Sequence, residues 1–409
     1  MSKQTLASSA GPLAARGLAP VLALSALAAG QAQAAEPIKL SVGGFFRAAY
    51  LAVSDDGGVG ELGKDHAADG FFNDAEIHFT GATTLDNGLE VGARVELEGE
   101  TDGDQVDEAW LWFAGGFGEI RIGSEDEALA NACIVPPGGT TNFSAFSPNQ
   151  WGANAAGLFN PPFGILLSSN SVCSGVDERG DAQKIVYISP VYGGFQLTAS
   201  YTPSAPNETH ADGVGPHVGM PGRDLASLIG QSRHNLSAYL TYSYEGADWG
   251  LTAGAGGSWE GHVEEGFDGI SQFEKQDFYQ AGINLTIGHF AIGIAGEIYN
   301  DVQTLQVNNL DVKTDYWVAG IGAAYALDAW TFGAQYSHRD DDLELGGGAN
   351  LVLDREQDRI VGTVNYALGP GINIDGEVGY TWVDSNPDFA TGIDDYDAIE
   401  FGIGTAITF

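Results

Sequence analysis

Sixteen short segments of this chain change character from each residue to the next, and that period constrains the fold more than any other feature. In Trp249–Trp259, Trp249, Leu251, Ala253, Ala255, Gly257 and Trp259 share one face, while Gly250, Thr252, Gly254, Gly256 and Ser258 share the other. Side chains of a strand alternate with period two, so the segment is apolar on one side and small and polar on the other. At ~3.3 Å per residue and a tilt of roughly 40°, the two tryptophans stand about 25 Å apart along a membrane normal, the height of a hydrocarbon-facing band with an aromatic at each rim.

The same pattern recurs along the chain. It predicts strands at Lys39–Val53, Ala75–Leu85, Leu89–Leu97, Val106–Ala114, Glu119–Ser124, Gln183–Ser189, Phe195–Tyr201, Leu236–Tyr244, Trp249–Trp259, Tyr279–Ile287, Phe290–Ile298, Trp317–Tyr325, Trp330–Tyr336, Ile360–Leu368, Ile372–Trp382 and Phe401–Phe409. Short turns join them in pairs, with longer loops at the other end. Asn87-Gly88 reads as a two-residue hairpin turn of the primed type. The facing of Trp110 and Trp112 is ambiguous. Each strand is too polar on one side for a solid core. A soluble sandwich would hide the apolar face against a second sheet, whereas a membrane barrel turns it to lipid and leaves no open edge. An even strand count and tryptophans at short turns fit the barrel. The fold expected is all-β: a 16-stranded antiparallel transmembrane β-barrel, one domain over 35–409.

Composition narrows the function. Lys3 and Arg16, the apolar run Leu18–Ala29 and the small-x-small signal Ala32-Gln33-Ala34 read as a signal peptide over 1–34; the run is shorter than the ~20 residues a spanning helix needs. Removing Lys3 and Arg16 leaves 14 basic residues against 55 acidic ones, a net of −41. Phosphates would be repelled, which excludes nucleic acid as a partner. No Gly-x-Ser-x-Gly, P-loop or Cys/His cluster is present, so neither an enzyme nor a cofactor is expected. His78 shares a face with Glu76 and Thr80, the nearest approach to a barrel-enzyme site. Asp102, Asp104, Asp107 and Glu108, or Asp340 to Asp342, offer the oxygen ligands that Ca²⁺ takes, though such runs are more often solvated loop tips.

Between the fifth and sixth strands lies a long insert, about 125–180, and loops of this length are usually functional or disordered. From Ala128 to Val176 it has no charged residue, and it carries Phe143, Phe146, Trp151, Phe159, Phe163, Ile165, Leu166 and Leu167. Such a segment avoids free water, so it is expected to fold against the inner barrel wall as a constriction; the alternative is an outward flap over a subunit contact. Cys133 and Cys173, in an exported chain, fit one disulfide, which would contribute roughly 4 kcal/mol in the chain-entropy model. The alternative is two reduced thiols in a loop.

The polar faces carry the candidate pore-lining charges. Arg47, Arg94 and Arg121 point inward on the first, third and fifth strands, and Arg355 and Arg359 on the fourteenth. Asp74, Glu76, Glu96, Glu98, Asp375 and Glu377 share these faces, and Glu125, Asp126 and Glu127 stand at the root of the insert. Charges lining a narrow passage set its ion preference, because low-dielectric walls focus their field. Each Arg also has a carboxylate near enough in pattern to pair with, which would stiffen the wall.

With these residues in view, the chain resembles the general porins of Gram-negative outer membranes, the alphaproteobacterial type most of all. The Ala32-Gln33-Ala34 leader, Ile38–Tyr50 (IKLSVGGFFRAAY), Val106–Glu127 (VDEAWLWFAGGFGEIRIGSEDE) and the terminal Phe409 carry the resemblance. It implies a homotrimer in the outer membrane, passive diffusion of ions and small hydrophilic solutes, and a third loop folded into each lumen. In the family an acidic third loop faces a basic cluster on the wall. Arg47, Arg94 and Arg121 match the basic side by strand position. Pro161-Pro162-Phe163-Gly164 is similar to the family's loop turn but lacks acids, so wall carboxylates take the acidic role. Charge and acidic inner faces together lead to a water-filled, cation-preferring channel. The loop aromatics offer the alternative of a substrate-specific, sugar-type channel.

Overall fold

A computed structural model describes residues 37–55, 69–99, 106–139, 173, 182–204, 232–263, 275–300, 305–307, 310–345, 351–385 and 395–409. The expected signal peptide, most of the 125–180 insert and the Pro161-Pro162-Phe163-Gly164 turn lie outside the described residues.

The strands are β1 (Lys39–Asp55), β2 (Asp69–Thr84), β3 (Glu90–Glu98), β4 (Val106–Gly115), β5 (Gly118–Ser124), β6 (Gln183–Ile188), β7 (Phe195–Ser204), β8 (Ser232–Glu245), β9 (Trp249–Trp259), β10 (His262–Val263), β11 (Asp277–Ile287), β12 (Phe290–Asn300), β13 (Leu305–Val307), β14 (Leu310–Leu327), β15 (Trp330–Leu345), β16 (Leu351–Gly369), β17 (Ile372–Ser385) and β18 (Asp395–Thr408). Among the described residues one short helix, α1 (Ala128–Ala132), follows β5. Every strand expected from the alternation is present. β10 prolongs β9 in one register, with His262 opposite Arg233 as Trp259 is opposite Leu236. β13 is an extra short strand on β14. The other sixteen close into an antiparallel barrel, because β1 pairs with both β2 and β18. At this seam Gly44 and Phe409 exchange two backbone hydrogen bonds of 3.0 and 3.1 Å.

The two faces differ as the alternation requires. Leu40, Ile77, Leu240, Ile283, Ile294, Phe332, Val378 and Phe401 stand exposed on the outside, the face that a membrane barrel turns to lipid. The opposite face points into the barrel and holds the buried residues. Among them are Tyr239, Phe278, Tyr299 and Val318, together with many polar and charged groups. The tryptophans left open by the pattern face inward. The Trp110 ring stands beside the guanidinium groups of Arg94 and Arg121, 5.4 and 5.8 Å from its centroid, and Trp112 donates to Glu90 at 3.0 Å. Leu111, between them, is exposed outside.

The Asn87-Gly88 turn differs from the two-residue primed turn expected. The Gly88 N–H donates to the Leu85 carbonyl at 2.9 Å, and Leu85 N–H to the Leu89 carbonyl at 2.8 Å. Of the turn residues only Gly88 has a positive φ, +80°. This is a three-residue loop, a tight turn followed by a left-handed glycine, in which Asp86 joins the turn.

If the outer face meets hydrocarbon, a charge there should cost stability according to depth. Ile283→Arg, at mid-strand, should lower folding stability in lipid vesicles by about 2–4 kcal/mol, and Ile287→Arg, beside the short turn, by about 0–1 kcal/mol. Urea titration of vesicle-inserted protein measures both; equal costs would contradict lipid contact.

Candidate functional site

The inner face of β1 to β5 carries the first group of predicted residues. Arg47 pairs with Asp74 at 2.9 Å, which the register sets opposite it. On β2, Glu76 accepts from His78 Nε2 at 2.8 Å, and Glu96 on β3 lies 3.3 Å from the same nitrogen. Arg94 donates to His78 Nδ1 at 2.8 Å and pairs with Glu96. Arg121 on β5 pairs with Glu119 at 2.5 Å and with Glu125. A cavity of about 550 Å³ opens here, with Arg47, His78, Thr80 and Arg94 in its wall.

A second group sits on β15 to β18 and is more deeply buried. Arg355 donates to Asp341 at 2.8 Å, and Arg339 grips the same carboxylate through two nitrogens at 2.6 to 3.0 Å. Arg359 is held between Glu377 at 2.5 Å and Glu400 at 3.2 Å. Pairs this buried repay their desolvation only when each group is well bonded, and these are. Arg339 and Glu400 are not among the residues the sequence points to, and Asp341 is among them only as part of a Ca²⁺ candidate. Extending the alternation past Tyr336 puts Ser337, Arg339 and Asp341 on the inner face, so the signal was there. It also corrects the placing of Asp340 to Asp342 at a solvated loop tip. They lie within β15 rather than at a loop tip, Asp341 is held by two guanidinium groups, and Asp340 accepts from Trp317 at 3.1 Å. Of the other Ca²⁺ candidates, Asp102 and Asp104 lie outside the described residues. Glu108 accepts the Asp126 N–H at 3.1 Å.

The predicted root of the insert is an anchor. Glu125 is buried against Arg121, and its carbonyl accepts from Lys184. Burial pushes the Glu125 carboxyl above the usual carboxylate range, against the pull of the Arg121 guanidinium. Asp126 is half-buried, and its carbonyl accepts from Asn131 at 3.0 Å. Glu127 is buried and accepts from Ser258 at 3.0 Å. The first N–H groups of a helix have no partner within it. Those of α1 find two on the wall: Ala128 donates to Ser200 and Leu129 to Ser237, both at 3.0 Å.

Beyond α1 the chain crosses the polar face strand by strand. Carbonyls of Ile134, Val135, Pro136 and Gly138 accept from Gln280 (2.7 Å), Asn284 (2.9 Å), Gln335 (2.5 Å) and Thr363 (2.7 Å), on β11, β11, β15 and β16. Inward glycines make room for this path. A Cβ at Gly254 or Gly282 would press on Ile134, one at Gly322 would strike the Pro137 carbonyl, and one at Gly333 the Gly138 carbonyl. Leu129 and Ile134 pack with Tyr239, Phe278, Tyr299 and Tyr316. The last three stack with centroids 5.0 and 4.1 Å apart, and Arg339 caps Tyr316 at 3.6 Å. Cys133 is bonded to Cys173, whose N–H donates to Glu297 at 2.7 Å. The path rests on spaced small and amide residues from strands far apart in sequence. The aromatics Phe143 to Phe163 lie outside the described residues.

A closed barrel, apolar outside and charged within, defines an outer-membrane channel protein. The Gram-negative porin family matches residues 21–386, and this chain belongs to that family. No curated protein matches the chain. Among solved structures it is similar to in-vitro folded OmpT, an outer membrane protein of Vibrio cholerae, at 14% identity and a TM-score of 0.56, over 93% of this chain and 100% of that one. It is also similar to the anion-selective porin from Comamonas acidovorans, at 14% identity and a TM-score of 0.51, over 91% of this chain and 100% of that one. At such identities the likeness speaks for the fold alone.

Two outcomes are expected of the site. Arg359→Met leaves Glu377 and Glu400 facing one another without their cation, and should cost about 3–5 kcal/mol, read as a lower urea midpoint in vesicles. Thiol titration of the denatured, unreduced protein should find no free sulfhydryl, since Cys133 and Cys173 are bonded.

Proposed function

We propose that the protein is a water-filled, cation-preferring channel for ions and small hydrophilic solutes, working as a homotrimer, with Glu125 to Gly139 narrowing the lumen. The observation that carries this reading is the excess of acid on the inner face. Arg121 and Arg359 each face two carboxylates, and Glu76, Glu98 and Asp107 bring oxygens within 4.8 Å of one another. A passage walled by low-dielectric protein focuses the field of unbalanced charge, so an acidic lining raises the local concentration of cations.

The narrowing rests on the hydrogen bonds that tie 128–138 to β7, β8, β11, β15 and β16. The inward aromatics Tyr239, Phe278 and Tyr299 are 1% exposed beneath this segment, so solutes do not reach them. That speaks against a sugar track built on the wall; the loop aromatics of the substrate-specific alternative lie outside the described residues. The acidic role that the family gives to its third loop falls here to Asp74, Glu76, Glu96 and their neighbours on the strands.

In a planar bilayer under a KCl gradient, the reversal potential should have the sign of K⁺ preference. Asp74→Asn should reduce it, because Arg47 then loses its counter-charge. Lowering the pH to about 4 should reduce it further as carboxylates protonate. A reversal potential favouring Cl⁻ would contradict the proposal.

A further inference from the structure

One group of inner-wall side chains has a geometry that ion diffusion does not require. Glu76 and His78 stand two residues apart on β2, hence on one face, and the register sets Glu96 of β3 opposite His78. One ligand atom from each lies within 4.8 Å of the others. Nε2 of His78 is 2.8 Å from a Glu76 oxygen and 3.3 Å from a Glu96 oxygen. The cavity of about 550 Å³ reaches the imidazole, so the group is open to water.

We propose that Glu76, His78 and Glu96 form a binding site for one divalent transition-metal cation of the Zn²⁺ type. Zinc holds nitrogen and carboxylate oxygen at about 2.0–2.2 Å, and tetrahedral placement then separates two ligand atoms by about 3.4 Å. The separations of 2.8 and 3.3 Å are close to that, so small side-chain rotations admit the ion. The imidazole sets the preference: Ca²⁺ and Mg²⁺ take oxygen ligands, whereas an imidazole nitrogen suits the later first-row metals. Three protein ligands leave a fourth position for water from the cavity. Glu98 and Asp107 adjoin the site through Glu76 and add negative charge.

Arg94 opposes the ion. Its donation to Nδ1 places the ring proton on Nε2, where the metal must sit. Binding therefore moves that proton to Nδ1 and releases Arg94, whose guanidinium already stands 5.4 Å from the Trp110 ring. Phe45, edge-on to His78 at 6.1 Å, completes the surroundings.

The test is calorimetry of the full-length, detergent-folded protein with ZnCl₂, with excess CaCl₂ as competitor. One Zn²⁺ per chain is expected to bind, with Ca²⁺ unable to displace it. His78→Gln and Glu76→Gln, each verified as folded by heat-modifiable gel migration, should weaken binding at least about tenfold. Arg94→Gln, which keeps all three ligands, should tighten it. The proposal is overturned by absence of a one-per-chain site, by an affinity that both His78→Gln and Glu76→Gln leave within about twofold of wild type, or by loss of binding in Arg94→Gln. The reversal potential in KCl is independent of this result, so either reading can fail alone.

Discussion

The constraint on which the rest depends is that backbone amides in hydrocarbon have no water to bond. Each N–H and C=O within the membrane must find a partner in the chain, and an open sheet edge leaves a row of them without one. The antiparallel pairing of β1 with β18 removes that edge, and Gly44 and Phe409 carry the ladder to its last residue. Gly44 sits at φ +146°, where a side chain would strike the Glu76 carbonyl, so the seam also relies on a residue without one. Once the sheet is closed, one face meets lipid and the other encloses space, and the period-two pattern of the sequence follows from that division.

Enclosed space sets a different problem. Sixteen strands leave too wide an interior for their own side chains to fill. Polar groups on the inner wall must then be wetted, paired or covered, and the described residues show each solution. Arg339, Asp341 and Arg355 are paired and buried, His78 and Arg94 border a cavity, and Tyr239, Phe278 and Tyr299 are covered by the segment from Leu129 to Ile134. That segment has no charged side chain of its own to satisfy. Its backbone takes hydrogen bonds from wall amides and hydroxyls, much as a further strand would take them from a neighbour. The glycines at 254, 282, 322 and 333 let its backbone and small apolar side chains come close enough to do so.

How much was legible in the sequence follows from the range of each interaction. Strand alternation is local, so all sixteen segments and the inward charges Arg47, Asp74, Arg94, Arg355 and Arg359 could be read residue by residue. Trp110 and Trp112 could not, because large aromatics occur on either face of a barrel; only the neighbouring guanidinium groups of Arg94 and Arg121 show the side. Asp340 to Asp342 read as a solvated tip because the apolar face weakens after Tyr336. The strand in fact continues, on the strength of ion pairs rather than apolar contacts. The path of Ala128 to Gly139 was beyond local reading. It depends on Ser200, Ser237, Gln280, Gln335 and Thr363, each of which looks like an ordinary inward polar residue until the barrel sets them along one track.

The same pairing bears on how such a wall selects ions. A guanidinium and a carboxylate in contact present a dipole, whose field falls faster with distance than that of a lone charge, and salt screens what remains beyond about 8 Å. Arg47 with Asp74 therefore contributes little to the potential felt by a passing ion, whereas Arg339 and Arg355 on the single carboxylate of Asp341 leave a positive charge over. What an ion feels is the surplus: the second carboxylate beside Arg121 and Arg359, and Glu76 and Glu96 beside the guanidinium of Arg94. Selectivity on this view is set by a few unbalanced residues. The abundant pairs keep the wall rigid and hold those few in place.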